Sequence, residues 1–319
     1  MTPAITVRNP GFLSLIVDLG RTGFGAVGVP TSSALDRYAC LALYCLLDCT
    51  NAPVLEVMGP KFALQFDADV FCAITGAKVK AFLDETPLRP WASFQAKKGS
   101  ILRVKEISEG FRYYIGFAGK IEADAVMGSY ATNLECRFGG LKGVPLTSGD
   151  VFHLEEFREI ETTVIPLELI PPMNSPHILR VMDGPEADSF TSDSCRHFWE
   201  KRHHERFTVS KKLNRTGIRL EGAPLVFRPE ALKSIVSEGI VPGTVQIPGD
   251  GLPIIMLHER TIGGYARVAV IARADQDRLA HLKANDLVCF ERIAVEEAER
   301  LWMDKQKRIA QLQSPTDST

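Results

Sequence analysis

The chain has 319 residues, a hydrophobic fraction of 45%, a charged fraction of 24% and a formal net charge of −2. These are globular values, enough for one large or two ordinary domains with a sizeable core. The near-balanced charge excludes the basic excess that nucleic acid or an anionic membrane selects, so neither is an expected partner.

In chain order, a strand-type run over residues 5–18 is followed by short β-type runs at 54–57, 62–66, 70–75 and 101–104. Gly59-Pro60, Asp67-Ala68-Asp69, Gly76-Ala77 and Lys98-Gly99-Ser100 punctuate them. Regular turn signals of this kind predict a barrel or a sandwich. A helix is marked between the first two runs. Ser33 is placed to cap it with Asp36 three residues on, and Tyr38, Leu41, Ala42, Cys45 and Leu46 continue at helical spacing. Gly139-Gly140 and Gly143-Val144-Pro145 mark a loop where backbone approaches closely.

Pro166, Pro171, Pro172 and Pro176 read as an extended linker over 165–177. It divides an N-terminal domain, 1–164, from a C-terminal domain, 178–300. Strands resume at Ile178-Leu179-Arg180-Val181, and Val181-Met182-Asp183-Gly184-Pro185 echoes Val57-Met58-Gly59-Pro60, so the second half repeats the first in outline. From Ser237 to Ile254, apolar strands alternate with dense Gly and Pro, the pattern of tight turns. Glu238 and Gln246 are polar residues among apolar ones, so each needs a buried partner or a ligand. In Arg260-Thr261-Ile262-Gly263-Gly264-Tyr265 the glycine pair admits close backbone approach or a positive φ. Gly249-Asp250-Gly251 reads as a hairpin turn rather than a phosphate loop. Residues 294–312 form a charged amphipathic helix, Glu-rich first and Lys/Arg-rich later, as the helix dipole favours. The helix end and a disordered tail make up 301–319.

Seven cysteines, no basic flank before an apolar run at the start, and no apolar stretch of about 18 residues predict a reduced, cytoplasmic protein with free thiols. Cys40, Cys45 and Cys49 read as helix packing residues; no C-x-x-C or paired His supports a metal, and none is expected. His197, His203 and His204, among Arg196, Lys201, Arg202 and Arg206, read as a solvated helical surface. There is no P-loop, H-E-x-x-H or G-x-S-x-G. Asp18 and Arg21 are spaced to pair across Leu19-Gly20, as a turn-fixing bridge or a ligand pair. Arg215 and Arg219, flanking Gly217, either face local acids or hold carboxylate or phosphate oxygens.

Several motifs together resemble one family, the allophanate hydrolase subunit 2 family, which includes KipA, the C subunit of 5-oxoprolinase and biotin-dependent carboxyltransferase-like proteins. They are Gly11-Phe12-Leu13-Ser14, Asp18-Leu19-Gly20-Arg21, Gly28-Val29-Pro30 with Ser33-Ala34-Leu35-Asp36, Leu55-Glu56, Thr75-Gly76-Ala77, Ala118-Gly119 and Gly128-Ser129. Asn214-Arg215, Gly217, Arg219-Leu220-Glu221-Gly222, the stretch from Ser237 to Ile254, and Gly263-Gly264-Tyr265 complete them. The match spans roughly residues 5–300 and implies a mainly β chain: two cyclophilin-like β-barrel domains, a few short helices and a C-terminal helix. It implies a subunit 1 (KipI-like) partner in a heterodimer or heterotetramer, and, by branch, a lactam-hydrolase-type third subunit or a biotin carboxylase. The cofactor it implies is either ATP shared with the partner or carboxybiotin carried on another chain. The implied function is a carboxyltransferase-like or amide-activating subunit acting on a urea, amide or lactam carbonyl; the alternative is a KipA-like assembly or regulatory subunit.

The chain departs from the family pattern at Val17, Tyr44, Asp48-Cys49, Gly143-Val144, Thr216 and His258-Glu259-Arg260. Losing amides while gaining Arg260 suggests either a site that prefers an anion or an inactive site on a scaffold kept for assembly. Among residues carried over by motif position, Arg215, Arg260 and Arg21 are expected to clamp a carboxylate or phosphate. Glu238 or Asp18 is expected to accept a proton. Gln246, Asn214, Ser129, Thr261 and Tyr265 are expected to fix the substrate.

Overall fold

The computed structural model of the chain describes residues 2–199 and 206–313. They group into two compact units, each discontinuous in sequence. The first takes the described residues up to Arg21, 32–172, and those from Arg308 onward; the second takes 22–31 and those within 173–307.

In the first unit the run expected over 5–18 is two strands, Ala4–Asn9 and Leu13–Val17. Pro10, which has no ladder N–H, and Gly11, at positive φ, separate them. The short runs expected at 70–75 and 101–104 are the starts of long strands, Val70–Leu83 and Ile101–Phe117, paired antiparallel. Their polar outer halves concealed them in the sequence. Lys78–Glu109 and Lys80–Glu106 sit opposite one another at 2.8 and 2.7 Å, so these charges are cross-strand pairs. Register shifts after Gly76, Lys78 and Lys80 bend the pair. Among the described residues the result is a ten-stranded half-barrel sheet around Ile5, Phe62, Phe66, Tyr113, Phe117 and Phe152.

The marked helix is present as α1, Arg37–Leu46. Its cap is Asp36, not Ser33: the Asp36 carboxylate accepts from Ala39 N at 2.8 Å. The approach to α1 is fixed by a buried polar network. Glu56 Oε2 accepts from Leu35 N at 3.1 Å and from the Tyr114 hydroxyl at 2.9 Å, and that hydroxyl accepts from Asp36 N at 2.8 Å. Arg112 Nε lies 3.6 Å from Glu56 Oε1, both side chains 1% exposed. The motifs Ser33-Ala34-Leu35-Asp36 and Leu55-Glu56 therefore meet here to start a helix.

In the second unit, seven strands among the described residues close a barrel in the order His177–Asp183, Ala266–Ile271, Thr244–Ile247, Ile254–Met256, Gly217–Glu221, Phe207–Leu213 and Leu287–Arg292. The last returns parallel to the first. Closure leaves no open edge. Thr244–Ile247 and Ile254–Met256 form a hairpin through Gly249-Asp250-Gly251, as expected. Phe198 of α2, Ser192–Trp199, stacks on Phe290 with centroids 4.4 Å apart. A separate two-stranded ribbon pairs Glu238–Gly239 with Ile262–Gly263. The final helix, α3, runs Val295–Gln313 with Glu296 and Glu297 in its first turn.

The mainly β fold with barrel-type domains, short helices and a C-terminal helix is thus what the chain adopts. Of the basic and histidine cluster, His197 is exposed on α2; His203 and His204, like the expected tail over 314–319, lie outside the described residues. Among the described residues, no helix is long and apolar enough to cross a membrane.

Candidate functional site

The expected site residues do not form one constellation. Asp18, Arg21 and Ser129 lie in the first unit, and the rest in the second.

In the first unit Asp18 ends a strand and is 1% exposed. Its carboxylate accepts from Gly20 N, Ser129 Oγ and Tyr130 N, each at 2.7 Å. Arg21 is equally buried. Its Nε donates to Val126 O at 3.1 Å, a second guanidinium nitrogen donates to Ala131 O, and the group stacks 4.5 Å from the Phe138 ring. Close packing accounts for the loop glycines. A β-carbon at Gly139, φ +72°, would lie 2.3 Å from Ala131 O. These residues fasten the loop 126–140. The hydrogen bonds shown for Asp18, Arg21 and Ser129, to which proton-accepting, anion-clamping and substrate-fixing roles were expected to fall, are to one another's loops, in a buried setting.

In the second unit Asn214 is a turn former. Its Oδ1 accepts from Thr216 N at 2.8 Å and Gly217 N at 3.0 Å, so its expected substrate contact is replaced by an Asx turn. Arg215 is buried with Nε 3.1 Å from Glu259 Oε1, and Arg219 pairs with Asp250. The Arg215 guanidinium, expected as an anion clamp, is thus paired with a buried carboxylate. Arg260 is exposed. Thr261 ties two segments: its Oγ1 donates to Gly28 O at 3.3 Å, and its carbonyl accepts from Ile240 N at 2.9 Å. Tyr265 is 42% exposed.

Gln246 sits in a different setting, in the barrel of the second unit. It is 3% exposed, in Thr244–Ile247 between Ile254 and Arg267. Its Nε2 finds no hydrogen-bond partner among the described residues. The ribbon lies directly over it: a β-carbon at Gly263 would sit 2.1 Å from that nitrogen. Gly263 is thus present for close approach, one of the two reasons the sequence allowed. A buried amide donor without an acceptor costs free energy in the unliganded fold, and a carbonyl oxygen would relieve it.

Beside it, Arg267 holds two carboxylates. Its Nε and one terminal nitrogen donate to Glu186 at 2.8 and 2.6 Å, and the same terminal nitrogen donates to Glu238 at 2.7 Å. The Arg267 hydrogen bond holds Glu186 below the usual carboxylate range, and the contact with Glu186 raises the guanidinium in turn. Two carboxylates against one guanidinium leave one formal negative charge. Glu238 is the open member, its side chain 58% exposed. The set supplies carboxylate acceptors and one amide donor, which suits a neutral group bearing C=O and N–H. The anion preference expected from Arg260 is not what this geometry offers. Sequence reasoning missed Arg267, Glu186 and Glu259. A lone arginine in the apolar run Ala266–Ile271 was the available signal. Among the described residues no group of three or more His, Cys, Asp or Glu side chains is placed to hold a metal.

Residues 27–292 match the family model of the carboxyltransferase domain, subdomain A and B. The chain is 31% identical to the C subunit of 5-oxoprolinase from Escherichia coli, covering 97% of each chain. It is 29% identical to urea amidolyase of Saccharomyces cerevisiae, covering 93% of this chain but 17% of that one. The fold of Kluyveromyces lactis urea carboxylase superposes with a TM-score of 0.90 at 24% identity, over 100% of this chain and 30% of the other. The chain thus spans nearly all of one relative and a minor part of the two larger ones.

Proposed function

This chain belongs to the carboxyltransferase domain family, subdomains A and B, and on that basis we propose that it works within a heteromeric carboxyltransferase-like or amide-activating enzyme, acting on a urea, amide or lactam carbonyl beside a subunit 1 (KipI-like) partner. The observation that carries the proposal is the buried, unpartnered Nε2 of Gln246. In this reading Nε2 donates to the substrate carbonyl oxygen and stabilises the charge that develops on it. Glu238, held at 2.7 Å by Arg267, accepts the N–H of the same group. Because Gln246 is almost wholly buried, substrate reaches it when the ribbon of Glu238–Gly239 and Ile262–Gly263 lifts. Thr261 and Tyr265 flank that movement.

Carboxybiotin, carried on another chain, would supply an activated carboxyl group when bound, and its carbonyl oxygens fit the same donor. For ATP, no nucleotide motif of this chain offers a cradle, so in the ATP-dependent branch nucleotide would be held with the partner. The size of urea amidolyase relative to this chain, which covers 17% of it, supports the need for further domains.

The test is turnover of urea, simple amides and 5-oxoproline by the chain co-purified with its subunit 1 homologue, with avidin blotting of the complex. Turnover that drops in Gln246→Leu while assembly persists is the expected result. Partner binding without turnover by the unmodified complex on any of these substrates would overturn it in favour of an assembly or regulatory subunit.

A further inference from the structure

The first unit contains a cavity of about 970 Å³ that the Gln246 site does not use. That is the upper part of the size range of small-molecule sites, roughly 300–1,000 Å³. Its apolar wall includes Leu41 and Leu46 of α1 with Ile165, Leu169 and Leu312. Cys45 and Cys49 lie in the same wall. Burial raises both thiols, Cys49 to about 12, so they stay protonated and the wall stays neutral.

Two cations, Lys120 and Arg158, stand at the polar side. Backbone pairing brings them there: Lys120 is opposite Glu155 in the ladder, and Arg158 N donates to Ala118 O at 3.0 Å. Neither is tightly neutralised. Lys120 Nζ lies 4.9 Å from the Tyr130 ring centroid, and among the described residues no carboxylate forms an ion pair with it. Arg158 lies 3.7 Å from Asp48, whose side chain is 89% exposed. So loose a pair in water contributes little and yields readily to a better acceptor. Glu156 also lines the rim but is exposed, where water screens it.

We propose that this cavity binds an amphipathic organic anion, its apolar body against the leucine-rich wall and its carboxylate on Lys120 and Arg158. The proposal is independent of the role given to Gln246.

The experiment is isothermal titration of the full chain with sodium octanoate and with octanamide, which matches it in length but lacks the charge. Octanoate should bind saturably at one site, with octanamide weaker by about tenfold or more. Exchanging both cations, Lys120→Gln with Arg158→Gln, should weaken octanoate by about tenfold and leave octanamide unchanged. Arg158 is exposed and Lys120 partly so, so the unfolding temperature should hold. Cys45→Trp, which intrudes on the apolar wall, should weaken both titrations. Absence of saturable octanoate binding, equal binding of the amide, or octanoate binding indifferent to the charge exchange would each overturn the proposal.

Discussion

One polar motif residue from each unit, Asp18 in the first and Gln246 in the second, shows two opposite treatments of a buried polar side chain. In the first, the Asp18 carboxylate accepts one local hydrogen bond and two from the loop 126–140, and Arg21 donates to two carbonyls of that loop. In the second, the Gln246 amide nitrogen is buried without an acceptor while Glu238 stays half open. A buried polar group that is satisfied rigidifies the fold, whereas one left unsatisfied marks a cost that a ligand can remove. Motif membership does not by itself distinguish a fastener from a site; the hydrogen-bond partners do.

The contrast is most vulnerable at the fasteners. Arg112→Met leaves Glu56 buried without its partner guanidinium, both side chains being 1% exposed in the native pair. Loss of about 3–5 kcal/mol is expected in urea unfolding. A change below about 1 kcal/mol would show that the network does not hold the first unit. Asp18→Asn turns an amide N–H toward donors that need an acceptor, so a loss of about 1–3 kcal/mol is expected, without a selective effect on turnover. A turnover defect in stably folded Asp18→Asn would return Asp18 to the site.

A smaller effect refines the account in the second unit. Glu186 is held below its usual value of 4.5 by the Arg267 hydrogen bond. A depressed carboxylate contributes stability that is fully present above 4.5 and is lost as pH falls through the folded value. Glu186→Gln should therefore flatten the acid limb of the stability–pH curve below 4.5, with little change in its shape near neutrality. An unaltered acid limb would show that Arg267 does not depend on Glu186.

Much of the fold was legible in the sequence because its signals are local. Pro and Gly punctuation located turns, helical spacing located α1, and the Glu-to-Lys order located α3. The long strands Val70–Leu83 and Ile101–Phe117 were shortened because Lys78, Lys80, Glu106 and Glu109 find their partners across the ladder, about 30 residues away. The candidate site was legible only in part. Gln246 and Glu238 stood out as polar residues in apolar surroundings. Asn214 and Arg215 stood beside them with equal motif credentials, yet their partners, Thr216 and Gly217 N and Glu259, turn them inward. Arg267 joins Glu186 and Glu238 across 81 and 29 residues, which no local pattern encodes.

The contrast between fastener and site meets its sharpest test in Gln246→Leu, measured for both folding stability and turnover with the subunit 1 partner. An unpartnered amide replaced by an apolar side chain of similar size should leave stability unchanged or raised by about 1 kcal/mol. Turnover should fall about 100-fold or more, the cost of removing a donor from developing negative charge. Stability lowered by more than about 2 kcal/mol with turnover intact would contradict the account and make Gln246 a fastener like Asp18.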